Sequence, residues 1–332
     1  VPRLDYSDGG CPSLLLEPTV TNLVPYSEDF SSLRGFGVSV TGASTAVHTS
    51  NFGISPKGDL TADRIQLNRN GEAYSDWFSV RTISIGLTYT YSIYIKSLGV
   101  NSDIYFVTAN GSTILKTITN EWIKYEHTFT ATSTSYTPRF LIQSIASQSA
   151  DVLVWGASLE ENSYASSYIK TVGTAQTRVA DSASGAGDAS TFNDSEGVLY
   201  AEISALASSD TSYRALTLSD GTSSNRVQIW IWNNGTIFSY IVAQGSVSYT
   251  RFDNVNSSNI NKISISYKQN QFSTFINGIK TFSDVIGNTP TGLNNIRFSD
   301  TNGSANFYGN VKDVRVYNTA LTDTELQALT TI

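Results

Sequence analysis

The run TYTYSIYIKS, residues 88–97, alternates without a break. Tyr89, Tyr91, Ile93 and Ile95 fall on one side, and Thr90, Ser92, Tyr94 and Lys96 on the other. A period of two puts successive side chains on opposite faces, so this run is a strand with one face toward a core. The same period returns in DIYFVTA, WIKYEHTFTA, RFLIQSI and DVLVWGA. It returns again in GVLYAEIS, YRALTLS, RVQIWIW, IFSYIVA, KISISYK, FSTFING and NVKDVRVY. Asn110-Gly111, Asn234-Gly235 and Asn277-Gly278 supply turns between neighbours. Short, evenly spaced strands of this kind predict an all-β chain of β-sandwich or jelly-roll type.

Length and local composition divide the chain. Its 332 residues suit two domains. Residues 1–25 hold prolines, Gly9-Gly10 and one apolar run, Leu14 to Leu16, and predict an extended lead-in with at most one short strand. Residues 26–171 form the first jelly roll. In 172–192 Gly, Ala, Ser and Thr dominate, which predicts a linker. Residues 193–332 form the second sandwich. One convincing helix closes it: Thr322 at the N-cap and Glu325 at N3 make a capping box, with Leu321 and Leu326 at the staple positions.

Composition narrows the function. Hydrophobic residues make up 40% of the chain and charged residues only 15%, against about 25% in an average protein. The net charge of −7 gives no electrostatic footprint for nucleic acid or an anionic membrane. No apolar run is long enough to span a bilayer. The single Cys11 excludes an intramolecular disulfide and is expected to be a small buried residue. With no methionine and a start at Val1, the chain is expected to be processed or part of something longer.

Catalytic sets are missing. No E-x-D-x-x-E string, G-x-S-x-G, P-loop or zinc spacing occurs. Glu202, Asp300 and Asp313 stand singly on their strands, and both histidines, His48 and His127, lie in the first domain and are expected at the surface. Glu160 and Glu161 are expected to be solvated loop charges. No enzymatic activity is expected.

What remains suits binding. Sugars stack on exposed Trp and Tyr while amides and charged groups bond their hydroxyls. Trp230 and Trp232 share a strand face beside Asn233, with Val227, Ile229 and Ile231 better placed for the core. Trp77 with Tyr74 and Asp76 forms a second candidate set, and Trp122 with Tyr125 a third. Glu28, Asp29 and Asp151 offer hard oxygen ligands for a structural calcium ion. No other cofactor is implied.

Three stretches near the C-terminus carry a resemblance: GVLYAEI, NKISISYKQNQFSTFINGIK and FYGNVKDVRVYNTALTDTELQAL. They resemble the concanavalin A-like, laminin-G-like sandwich over residues 193–332. NLVPYSEDF, SPKGDLTADRI and VLVWGASLEENSYASSYIKT are similar to jelly rolls of carbohydrate-binding modules. With the lead-in and TRVAD at 177–181, the combination resembles tail-fibre and head-fibre proteins of bacteriophages. That resemblance implies a non-enzymatic, homo-oligomeric component, a trimer, at the virion surface. Its partners would be other virion proteins and glycans of the bacterial surface. Structural spacer domains, or accessory modules of a secreted polysaccharide-degrading enzyme, are the alternatives.

Overall fold

The structure is a computed structural model that describes residues 3–6, 10–143, 148–206, 213–232 and 234–332. The chain forms two compact units: Thr19–Val179 is one, and Val1–Pro18 with Ala180–Ile332 is the other. The first unit is thus inserted into the second.

The inserted unit is a sandwich of two five-stranded antiparallel sheets. One runs in the order Thr113–Ile118, Ser102–Val107, Arg139–Gln143, Tyr74–Ser79 and Phe36–Val40. The other runs Ile123–Thr130, Thr88–Ser97, Ser149–Glu160, Ala62–Asn68 and Thr45–Gly53. The face predicted for 88–97 is the core face: Tyr89, Tyr91, Ile93 and Ile95 are all buried there. The register of Ser149–Glu160 slips between Trp155 and Ser158. Gly156 sits in this bulge at φ +66°, where a Cβ would press on the Tyr94 and Tyr168 rings. The slip leaves Val152 and Val154 before it, and Ala157 and Leu159 after it, all in the core.

The second unit pairs a seven-stranded with a six-stranded antiparallel sheet. The first runs Arg3–Asp5, Ser13–Leu16, Gly309–Tyr317, Glu196–Ala205, Asn261–Lys268, Gln271–Ile276 and Ile279–Asp284. The second runs Ser184–Ala186, Asn295–Arg297, Arg214–Ser219, Arg226–Ile231, Thr236–Ala243 and Ser246–Asn254. Leu199, Ile203, Leu216, Ile229, Ile241 and Ile265 fill the space between them. The helix Asp323–Thr330 forms with its capping box complete: Thr322 Oγ1 accepts from Glu325 N, and Thr322 N donates to Glu325 Oε2 at 2.8 Å. Leu326 is buried against Val198 and Phe275 on the outer face of the seven-stranded sheet, and Leu321 packs beside it.

Two segments differ from expectation. The lead-in 1–25 is built into both units. Leu14, Leu15 and Leu16 pair with Val311, Asn310 and Gly309, and Leu16 enters the core of the second unit. Val20–Asn22 pairs with Gln176–Arg178 in the inserted unit. The stretch 172–192, expected as a linker, also carries Ser184–Ala186, paired with Asn295–Arg297. Small side chains do not prevent a backbone from completing a sheet edge, and breakers set strand length rather than strand absence. Cys11, expected inside, is exposed.

Candidate functional site

The candidate face is the outer side of the six-stranded sheet. On Arg226–Ile231, Val227, Ile229 and Ile231 are all buried in the core. Alternation therefore turns Arg226, Gln228 and Trp230 outward. Ala215, Trp230, Phe238 and Phe252 lie opposite one another across four strands. Thr217, Gln228, Tyr240 and Thr250 form the next row.

These rings touch. Phe238 stacks on Phe252 with centroids 4.3 Å apart and meets Tyr240 at 5.1 Å. Trp232 meets Phe252 edge-on at 5.1 Å, and Tyr213 meets Trp232 at 5.6 Å. Tyr213, Trp230, Trp232, Phe238 and Tyr240 line an open depression of about 350 Å³. Both tryptophans are half-buried, while Tyr213 and Phe252 are 46% and 48% exposed. A single sheet face thus carries a continuous aromatic surface in contact with solvent.

A buried amide holds it still. Gln228 Oε1 accepts from Trp230 Nε1 at 2.9 Å and from Arg226 Nε at 2.6 Å. Gln228 Nε2 donates to Thr217 Oγ1 at 2.8 Å, and that hydroxyl donates to the Ser299 carbonyl at 2.6 Å. The indole plane is fixed before any ligand arrives. The Arg226 guanidinium lies 5.2 Å from the centre of the Tyr240 ring, and partial burial pushes its pKa below the ordinary value.

The expected residues fare unequally. Trp230 and Trp232 come together on this face. Asn233 lies outside the described residues. Asn234 serves the turn, its Oδ1 accepting from Thr236 N at 3.0 Å. The set of Trp77, Tyr74 and Asp76 does not form. Trp77 is 4% exposed in the core of the inserted unit, with its ring 5.7 Å from His48. Tyr74 and Asp76 take the opposite face, where Tyr74 Oη bonds Ser39 Oγ at 3.1 Å and Asp76 pairs with Arg139. Ser75 and Ser79 share the Trp77 face, so the indole is the one large group there to fill the interior. Trp122 is half-buried against the cluster of Ala62, Leu153 and Trp155, with the Lys96 amine over its ring at 5.5 Å. Tyr125 is buried and stacks on Phe106.

The expected calcium ligands do not converge. Glu28 accepts from Tyr168 Oη at 2.8 Å and pairs with Lys170, Asp29 pairs with Arg34 at 3.0 Å, and Asp151 takes Arg64 Nε at 2.8 Å. Among the described residues no group of three or more Asp, Glu, His or Cys side chains is placed to hold a metal. Each carboxylate has found a cation of the chain instead.

Other charged groups also differ. Glu160, expected in solvent, is 1% exposed and accepts from Ser158 Oγ at 2.9 Å, Ser166 N at 2.9 Å and Ser166 Oγ at 3.0 Å. Burial raises its pKa above the ordinary carboxylate value, against these bonds and Lys124. Glu161 is exposed. His48 bonds Asp63 Oδ2 at 2.7 Å, and His127 Nε2 accepts from Ala109 N at 3.1 Å, so neither is a free surface group. Glu202 and Asp313 stand opposite each other on neighbouring strands, with Arg315 paired to Asp313 at 2.6 Å.

Sequence reasoning missed Tyr213, Gln228, Phe238, Tyr240 and Phe252. The signal for Phe238 and Tyr240 was present: in IFSYIVA they are out of phase with Ile237 and Ile241. Gln228 gave none, because its role depends on a neighbouring strand.

Residues 198–327 match the family model of the Concanavalin A-like lectin/glucanases superfamily. No curated protein matches the chain. Among solved structures, the chain is similar to the Ruminococcus gnavus IT-sialidase CBM40 bound to alpha2,3 sialyllactose. The identity is 20% and the TM-score 0.38, over 45% of this chain and 94% of that one. It is similar to the leech intramolecular trans-sialidase complexed with 2,7-anhydro-Neu5Ac at 18% identity and TM-score 0.35, over 42% and 24%. It is also similar to the native heptameric SAP-like pentraxin of Limulus polyphemus at 10% identity and TM-score 0.31, over 40% and 68%. Similarities at this level bear on neither ligand nor activity.

Proposed function

We propose that the protein is a non-catalytic glycan-binding component whose site is the outer aromatic face around Trp230 and Trp232. The observation that carries this reading is the held geometry: half-exposed rings on a rigid sheet, with the Trp230 indole locked by Gln228. A pyranose laid on such a ring removes apolar area from water on both partners, worth about 1–3 kcal/mol per ring. Single sites are therefore weak. The sequence resemblance to phage fibre proteins supports display in several copies on a virion, where avidity raises binding by about 10²–10⁴-fold.

The test is a glycan array with the intact protein, followed by titration of the best sugar. Millimolar to high-micromolar affinity is expected, lost in W230A/W232A while the fold survives. A second reading is favoured by the near-half exposure of Tyr213 and Phe252. There the face is a contact between subunits of a fibre. Light scattering of W230A/W232A separates the two: dissociation of an oligomer supports the contact, and unchanged mass with lost sugar binding supports the glycan.

A further inference from the structure

We propose that this face takes a carboxylate-bearing sugar, with Arg226 and Arg297 gripping the acid beside the rings that take the pyranose. The proposal rests on the glycan reading and adds its ligand class. In a chain with 28 acidic and 21 basic residues, arginines readily find carboxylates. Arg3, Arg34, Arg64, Arg139, Arg251 and Arg315 all do so. Arg226 and Arg297, like Arg69 and Arg81, make no ion pair among the described residues, and of these four only Arg226 and Arg297 lie on the six-stranded sheet.

Their placement is set by register. Thr217 lies between Gln228 and Arg297, and Ser219 between Arg226 and Asn295. The two arginines therefore stand on strands either side of Arg214–Ser219, offset by one row on the same outward face. Two strand spacings separate those strands by about 10 Å, close enough for one acidic glycan to bridge them. The intervening strand turns the small residues Ala215, Thr217 and Ser219 outward; all three are buried, and Thr217 is bonded to the Ser299 carbonyl.

Each arginine is held by part of its fork. Arg226 spends Nε on Gln228, and its Nη1 and Nη2 make no hydrogen bond among the described residues. Arg297 Nε donates to Asn295 Oδ1 at 3.3 Å and Nη1 to the Thr301 carbonyl at 2.9 Å, leaving Nη2. The nearby carboxylates are committed. Asp300 accepts from Ser304 N at 2.7 Å, Ser304 Oγ at 2.6 Å and Asn302 N at 3.1 Å, and reaches Arg226 only through its longer-range field. Asp220 is taken up by Thr222 and Asn225. A planar fork with free N–H groups matches a carboxylate, and bonds to an ionised acceptor are about twice as strong as neutral ones. Arg226 also lies against Tyr240, which places the acid at the edge of the aromatic depression.

The experiment titrates the intact protein with trigalacturonate against its carboxyl-reduced form, and with 3′-sialyllactose against lactose, at low and high salt. At least one acid is expected to bind about tenfold tighter than its neutral partner, with the advantage shrinking in high salt. R226Q and R297Q should each move the acid-to-neutral ratio toward one, and R226K should keep part of it. Arg297 hydrogen-bonds neither Gln228 nor Trp230, so R297Q remains informative if R226Q disturbs the indole. Neutral sugars binding as well as acids would overturn the acid proposal and leave the glycan reading standing. An acid preference that survives both variants would overturn it too, by placing the carboxylate elsewhere. No binding of any of the four probes would overturn the acid proposal, and the glycan reading would then stand or fall on the array.

Discussion

Both units place tryptophans on the outside of a sheet, yet a segment of the chain seals Trp155 in one, while Trp230 and Trp232 stay half-buried in the other. In the inserted unit Leu153, Trp155, Tyr94 and Trp122 lie on the outer face of the sheet that contains Ser149–Glu160. The chain then turns back over them. Tyr168 packs on Trp155 with centroids 4.1 Å apart, Thr90 Oγ1 donates to the Asn162 carbonyl at 2.9 Å, and Glu160 fastens Ser166. Trp155 ends 1% exposed. The seven-stranded sheet of the other unit is covered in its own way, by Leu326 of the terminal helix over Val198 and Phe275. The six-stranded sheet has six rings outside, five of them lining a depression that stays open to solvent. An outer apolar face gains nothing from water, so where the chain provides a cover the face is structural. Where it provides none, the face is the place to look for a partner.

The largest effect follows from that contrast. Trp155→Ala should cost about 3–5 kcal/mol, since it empties a sealed site. Trp230→Ala should cost about 1 kcal/mol, because its ring already faces water in part. Urea unfolding of the two variants measures the difference. Equal losses would mean that the Trp230 face is as closed as the Trp155 face, and the comparison would collapse.

Next is the strand that the second unit takes from the chain before the insertion. Leu16 is 5% exposed in that core, and Leu16→Ala should destabilise by about 2–4 kcal/mol. A melt of Trp155→Ala and Leu16→Ala together should show additive losses, because the residues sit in separate cores. A negligible effect of Leu16→Ala would mean that Ser13–Leu16 is a dispensable edge.

The helical cover should be loosened by a smaller amount. Thr322→Ala removes the acceptor for Glu325 N and should cost about 1 kcal/mol in the same unfolding measurement. Glu325→Ala should cost less, since the Thr322 amide it leaves is exposed and can turn to water. Equal and negligible losses would show that the box does not hold Leu326 on its sheet.

How much of this was legible in the sequence depends on whether a feature is local. Alternation alone placed Tyr89, Ile93 and Ile95 inside and turned Trp230 outward, because Val227, Ile229 and Ile231 claim the opposite face. The capping box is a four-residue pattern, and it formed as read. Trp77 was misplaced because its strand, YSDWFS, has no aliphatic set to declare which face is inner. The pairing of Leu14 with Val311 crosses nearly the whole chain and leaves no local trace. The Gln228 bridge and the burial of Glu160 are likewise products of neighbours that only folding supplies.

The smallest effect tests the cover of the inserted unit by pH. Glu160 titrates above its ordinary 4.5 in the folded chain, chiefly because burial penalises the carboxylate. The folded state therefore binds this proton more readily than the unfolded state does. Between the raised folded value and 4.5, unfolding releases a proton, so stability rises as pH falls through that window. Above the folded value, and again well below 4.5, the two states carry the same charge at this site and the contribution is flat. Glu160→Gln removes the titration. Unfolding free energies measured from pH 7 to 4.5 should show the natural protein gaining on the variant as acid is added. If it instead loses ground, the bonds from Ser158 and Ser166 and the field of Lys124 outweigh burial. The loop over Trp155 would then be held by a charge, and acid would open it.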